Sequence, residues 1–149
     1  MRVGDICSRA VCTARPEEPL AQAANEMINQ HVGSIVVVES RPDAVRPVGI
    51  VTDRDVVCGQ IDRSADLFCL NVEDVMSTQL LTVSEDSGVA EALGRMNARG
   101  VRRAPVVDSA GSLIGIVTFD DLMPLLAEEL TGLARLMGTQ DRLERIPRF

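Results

Sequence analysis

An α+β fold, shading into α/β, is what the sequence predicts: two tandem β-α-β-β-α units packed on each other, followed by a C-terminal helical extension. Three observations carry that expectation. The segment GIVTDRD at Gly49–Asp55 returns as GIVTFDD at Gly115–Asp121, and repetition in so short a chain means two copies of one supersecondary unit. Val3–Glu39 aligns with Val72–Asp108, with identities such as Val3/Val72, Ser8/Ser77, Met27/Met96 and Val32/Val101 spread along the whole unit. Helical and strand-like apolar patterns then alternate in the same order in both copies.

Each copy opens with a short helical turn, Val3–Ser8 or Val72–Ser77, and a brief extended piece ending near Thr13 or Thr82. An amphipathic helix follows. Leu20, Ala23, Ala24, Met27 and Ile28 fall on one face of a 3.6-residue period, and Val89, Ala92, Leu93 and Met96 repeat the stripe. His31, opposite Gly100, is expected to end the first of these helices. Next come two β-branched runs per copy, Ser34–Glu39 with Val48–Thr52, and Ala104–Asp108 with Leu113–Thr118. The turn residues between them make each pair a hairpin. A further helix starts after each GIVT.

Ile61–Asn71 is mostly polar and reads as the link, so the expected units are residues 1–62, 63–124 and an extension over 125–149. In the extension, Leu122, Leu125, Leu126, Leu130, Leu133, Leu136 and Met137 form a long apolar stripe, with Pro124 acceptable only near the helix's first turn. The stripe either packs back on its own core or meets a second chain. Beyond Gly138 the expected tail mixes Arg142, Arg145 and Arg148 with Asp141 and Glu144.

Composition narrows the function classes. The 149 residues carry 22 acids against 15 basic residues, all of them Arg, for a formal charge of −7. Without a basic stripe, phosphate neutralisation cannot drive nucleic-acid binding. Three Phe and no Trp or Tyr leave little for base stacking. No apolar run reaches membrane-spanning length, and the N-terminus lacks a signal-peptide core, so a soluble cytoplasmic protein is expected. Cys7, Cys12, Cys58 and Cys69 show no metal-ligand spacing. The first two align with Met76 and Leu81, which favours buried thiols. One His and four unpatterned Cys assemble no nucleophile–base set, so an enzyme is not expected.

Thr52-x-x-Asp55 and Thr118-x-x-Asp121 have the spacing of a helix-opening capping box. The element order, the G-I-V-T-x-x-D ending and the stretch Val101–Asp108 (VRRAPVVD) together resemble the cystathionine-β-synthase (CBS) domain family. Two copies resemble a CBS pair, or Bateman module, similar in layout to small stand-alone bacterial CBS-pair proteins, with the motifs related by a pseudo-two-fold axis.

The resemblance implies a regulatory module that binds AMP, ADP, ATP or S-adenosylmethionine between the two motifs. It implies Asp55 with Thr52 in one cleft, and Asp121 with Thr118 in the other, at the ribose. A carboxylate suits a vicinal diol because it accepts from both hydroxyls. Ile50, Val32, Ile116 and Val101 would wall the adenine, Thr13 and Thr82 match a further contact position, and Arg102 and Arg103 match a phosphate-binding pair. The copies are not equal. Gly33 and Ser34 stand opposite Arg102 and Arg103, Val36 opposite Pro105, and Arg54 opposite Asp120, so unequal clefts are expected.

No cofactor is required, and Mg²⁺ would arrive only with a nucleotide. Expected partners are the adenosine ligand, a second copy in a homodimer and an unidentified regulated protein. The alternative is a ligand-free interaction or assembly protein that keeps the fold without an occupied site.

Overall fold

The computed structural model describes residues 1–144. Arg145 and Arg148 of the expected tail lie outside the described residues. Both repeats fold in the predicted order: α1 (Val3–Ile6), β1 (Thr13–Ala14), α2 (Leu20–Gln30), β2 (Ser34–Ser40), β3 (Val45–Thr52) and α3 (Asp53–Arg63) in the first. The second has α4 (Val72–Val75), β4 (Val83–Ser84), α5 (Val89–Arg99), β5 (Arg103–Val107), β6 (Leu113–Thr118) and α6 (Phe119–Glu144).

Each repeat makes one three-stranded sheet, ordered β1-β2-β3 and β4-β5-β6. The first strand runs parallel to the second and the second antiparallel to the third, with Val36 opposite Ile50 and Pro105 opposite Ile116. Helices α2 and α5 bury Leu20, Ala23, Met27 and Ala92, Met96 on the predicted stripe. Both close on a left-handed residue, at φ 53° for His31 and 64° for Gly100. Glycine takes that conformation freely, whereas a Cβ makes it costly at His31.

The two cores exchange their opening turns. Val3 of α1 packs with Leu81, Val83, Val106, Val117 and Leu122 of the second repeat. Val72 of α4 packs with Leu20, Ile35, Val37 and Val51 of the first. Both valines are fully buried, each contributing roughly 2 kcal/mol to a core otherwise built by the other repeat. Backbone pairing follows the same exchange. Ser8 and Ile116 trade two N–H···O bonds of 2.9 Å, and Ser77 and Ile50 trade bonds of 2.9 and 3.1 Å.

This crossing explains why both GIVT segments begin with glycine. A Cβ on Gly115 would lie 2.8 Å from the Ser8 carbonyl oxygen and 2.7 Å from Cys7 Sγ; one on Gly49 would lie 2.9 Å from the Ser77 carbonyl oxygen. Gly115→Ala is therefore expected to cost about 1–3 kcal/mol through overpacking, measured as a lowered urea midpoint. An unchanged midpoint would show that the crossing segment can retreat.

The structure corrects three expectations and excludes one of the two alternatives for the C-terminal stripe. Helix α3 runs into the predicted link and ends at Ser64, while Leu70 of that link is buried in the first core. Helix α6 passes through Gly138 to Glu144 as 26 continuous residues, because one glycine costs a helix only about 1 kcal/mol. Pro124 lies inside that helix, beyond its opening turn, where it denies the Asp120 carbonyl its i→i−4 donor. The long stripe does not pack back on the core: Leu122 is fully buried, yet Leu130, Leu133, Leu136 and Met137 are 59–69% exposed. Among the described residues, no helix is long and apolar enough to cross a membrane.

Candidate functional site

Both capping boxes form. The Thr52 hydroxyl accepts from the Asp55 N–H at 3.2 Å, and Asp55 Oδ2 accepts from the Thr52 N–H at 2.9 Å. The same pair of bonds joins Thr118 and Asp121, at 3.2 and 3.3 Å. Each acid also sits at the positive end of its helix dipole. Capping occupies only Oδ2, so among the described residues Oδ1 of each acid carries no hydrogen bond.

Two clefts open at equivalent places in the repeats, and they differ greatly in size. The larger, about 490 Å³, is lined by 10–12, Val32, Gly33, Ser34, Val36, Arg102, Arg103, Ile116, Thr118, Asp120 and Asp121. The smaller, about 160 Å³, is lined by Ile50, Thr52, Ser77, 79–81, Val101 and Arg103. The cause is legible position by position. Ala10, Val11 and Cys12 of the first face Gln79, Leu80 and Leu81 of the second in the repeat alignment, and Ser34 faces Arg103. Larger side chains fill the second cleft. Small-molecule sites generally enclose about 300–1,000 Å³, a range that only the larger cleft reaches.

Arg103 starts β5 with Arg102 just before it, and Ser34 starts β2 with Gly33 just before it. The structure brings all four to the same cleft. A Cβ on Gly33 would lie 3.7 Å from Arg103 Nη1 and from Asp53 Oδ2, so the guanidinium of half-buried Arg103 extends across that glycine. Among the described residues it makes no salt bridge. Arg102 instead pairs with Asp120 at 3.5 Å, both side chains largely exposed, and lies 5.4 Å from the Phe119 ring centroid. An exposed pair of this kind contributes only about 0.2–1 kcal/mol.

Of the other predicted residues, Val32 and Ile116 wall the larger cleft and Ile50 and Val101 the smaller. Asp55 and Arg54 line neither cleft. Thr13 borders a neighbouring groove with Glu26 and Gln30, and Thr82 lines neither cleft. The expectation of buried thiols is corrected: Cys7 and Cys12 are half-buried, and Cys58 and Cys69 are exposed. Cys12 faces the larger cleft, where burial and then the Glu26 charge push its thiol pKa up. Cys69 is raised by its hydrogen bond to Asp66. Among the described residues, no three His, Cys, Asp or Glu side chains are grouped to hold a metal ion. Sequence reasoning missed the walls at 10–12 and 79–81. Their signal was the change from small to large residues between the copies.

Two three-stranded repeats with equivalent clefts between them define a tandem pair of CBS domains. The CBS domain profile matches residues 3–59 and again 72–128; the chain belongs to the CBS-domain family. It is 37% identical over 121 residues to the uncharacterized protein MK0525 of Methanopyrus kandleri, covering 81% of this chain and 60% of that one. It is 32% identical over 120 residues to the CBS domain-containing protein YhcV of Bacillus subtilis, covering 80% and 81%. Among solved structures, the CBS domain pair of protein MJ0100, in complex with 5′-methylthioadenosine and S-adenosyl-L-methionine, superposes with a TM-score of 0.71 at 25% identity. That match covers 85% of this chain and 99% of the other.

Proposed function

We propose that this chain is a cytoplasmic regulatory module that binds one adenosine-containing ligand, in the larger cleft, and works as a homodimer. The observation that carries the reading is the pairing of a 490 Å³ cleft with an acid whose Oδ1 is unengaged at its rim, Asp121. The adenosine ligands of the MJ0100 pair support the ligand class. In this reading Asp121 accepts from the ribose hydroxyls, Thr118 lies beside it, Val32 and Ile116 cover the adenine, and Arg103 meets the anionic group. The smaller cleft, filled by its own side chains, keeps Thr52 and Asp55 as a helix cap only.

The charge balance favours a ligand with few negative charges. Arg102 and Asp120 offset each other in their ion pair. That leaves Arg103 as the cation without a salt bridge among the described residues at the larger cleft, against Asp53 and Asp121, which would repel each added phosphate. AMP and S-adenosylmethionine are therefore expected to bind more tightly than ATP.

A thermal-shift panel of AMP, ADP, ATP and S-adenosylmethionine tests this. Ligand at ~100 times its dissociation constant should stabilise a single site by about 2.7 kcal/mol. Asp121→Ala should remove the ligand-dependent gain, compared with its own ligand-free melt because the variant also loses a cap. Asp55→Ala should keep the gain. Loss in Asp55→Ala alone would move the site to the smaller cleft. No gain with any ligand at millimolar concentration would favour the ligand-free assembly protein.

A further inference from the structure

The groove beside the larger cleft continues it. Ala10, Val11, Cys12 and Val32 line both, and the groove adds about 470 Å³ bounded by Thr13, Glu26 and Gln30. The two ends carry different chemistry. Arg103 and Asp121 line only the cleft, Glu26 lines only the groove, and the wall they share is mostly apolar.

Glu26 is half-buried on α2. Among the described residues it makes no salt bridge, and its carboxylate accepts no hydrogen bond. A partly desolvated acceptor without a donor is unfavourable, so a ligand that supplies the donor binds more tightly. The charge reaches the shared wall, where it is second to burial in raising the Cys12 thiol. Nor does the helix itself call for an acid here. In the repeat alignment Glu26 and Gln30 face Arg95 and Arg99, yet α2 and α5 are both 11 residues long and bury the same stripe.

On the adenosine reading above, which this inference needs, we infer that Glu26 selects the base: its carboxylate accepts a hydrogen bond from the 6-amino group of adenine. Adenosine carries its ribose at N9 and its amino group at the far edge of the purine. With the ribose at Asp121 and the ring on Val32, that edge faces the groove. Val32 lines both cavities, so a ring resting on it spans from one to the other. A site built around one such bond rejects an analogue that lacks the donor, because its own acceptor is then left unpaired.

The test is calorimetric titration of the full chain with AMP against purine riboside 5′-monophosphate, and with adenosine against purine riboside. Within each pair the second member lacks only the 6-amino group. The amino member should bind roughly 10- to 150-fold more tightly, the worth of one hydrogen bond to a charged group. In Glu26→Ala the members of each pair should bind within about threefold of each other, since the interaction has then been removed from one side already. A fall in both affinities at an unchanged ratio would make Glu26 structural and overturn the inference. Equal binding of both members by the unaltered chain would overturn it while keeping the ligand in the cleft. Tighter binding of GMP than of AMP would overturn the choice of adenine. No binding of AMP or adenosine at millimolar concentration would overturn it as well, and the S-adenosylmethionine arm of the panel above then decides whether the adenosine reading stands.

Discussion

Ala10→Gln, Val11→Leu and Cys12→Leu, made together, are expected to abolish ligand-dependent stabilisation. Each change installs the residue that the second repeat already uses at the same place. The variant therefore rebuilds the wall of the 160 Å³ cleft inside the 490 Å³ one. Ala10 is exposed and Val11 and Cys12 are half-buried, so the ligand-free protein should lose no more than the 1–3 kcal/mol typical of overpacking. The full gain of about 2.7 kcal/mol expected of the unaltered chain at ~100 times the dissociation constant should vanish. Calorimetric titration gives the complementary reading, one site per chain before the change and none after it. A retained gain would mean that the ligand sits outside the larger cleft.

Leu122→Ala is expected to give the largest loss of fold stability, about 2–5 kcal/mol. Leu122 is fully buried in the second core, where it pins the start of α6 one residue after Asp121. A domain of this size holds only about 5–15 kcal/mol in total. The loss should appear as a lower urea midpoint with an unchanged slope. Ligand affinity should fall as well, since the rim of the larger cleft includes Asp120 and Asp121. A loss under about 1 kcal/mol would show that the core collapses around the gap.

Much of this architecture was legible in the sequence because it rests on local rules. Apolar periodicity located α2, α5 and the hairpins. The Thr-x-x-Asp spacing announced both capping boxes, since a cap is decided within four residues. The inequality of the clefts was visible in Gly33 and Ser34 against Arg102 and Arg103. Its larger source, Ala10 to Cys12 against Gln79 to Leu81, acts only once distant segments meet. The same holds for the exchanged turns. Alignment attaches Val3 to its own repeat, and nothing local says that its side chain is buried in the other. The glycines at 49 and 115 were the one available sign, because neither serves a turn and both need room for a crossing backbone. Arg103's reach across Gly33 was invisible for the same reason, as it depends on the approach of two strand ends.

The exchange of α1 and α4 bears on how a signal could leave this molecule. Two units joined by a linker alone can swing open like a clam. Here each unit holds the other's opening turn in its core, and the Ser8–Ile116 and Ser77–Ile50 pairings clasp the joint on both sides. Opening would require pulling Val3 and Val72 into water, roughly 4 kcal/mol for the two side chains before any backbone bond is counted. That exceeds the gain expected of one ligand at ~100 times its dissociation constant. The residues between Ser64 and Leu70 are therefore no hinge. Motion available to the pair is a small shear at the clasp, and its longest lever arm is the helix that begins at the rim of the larger cleft.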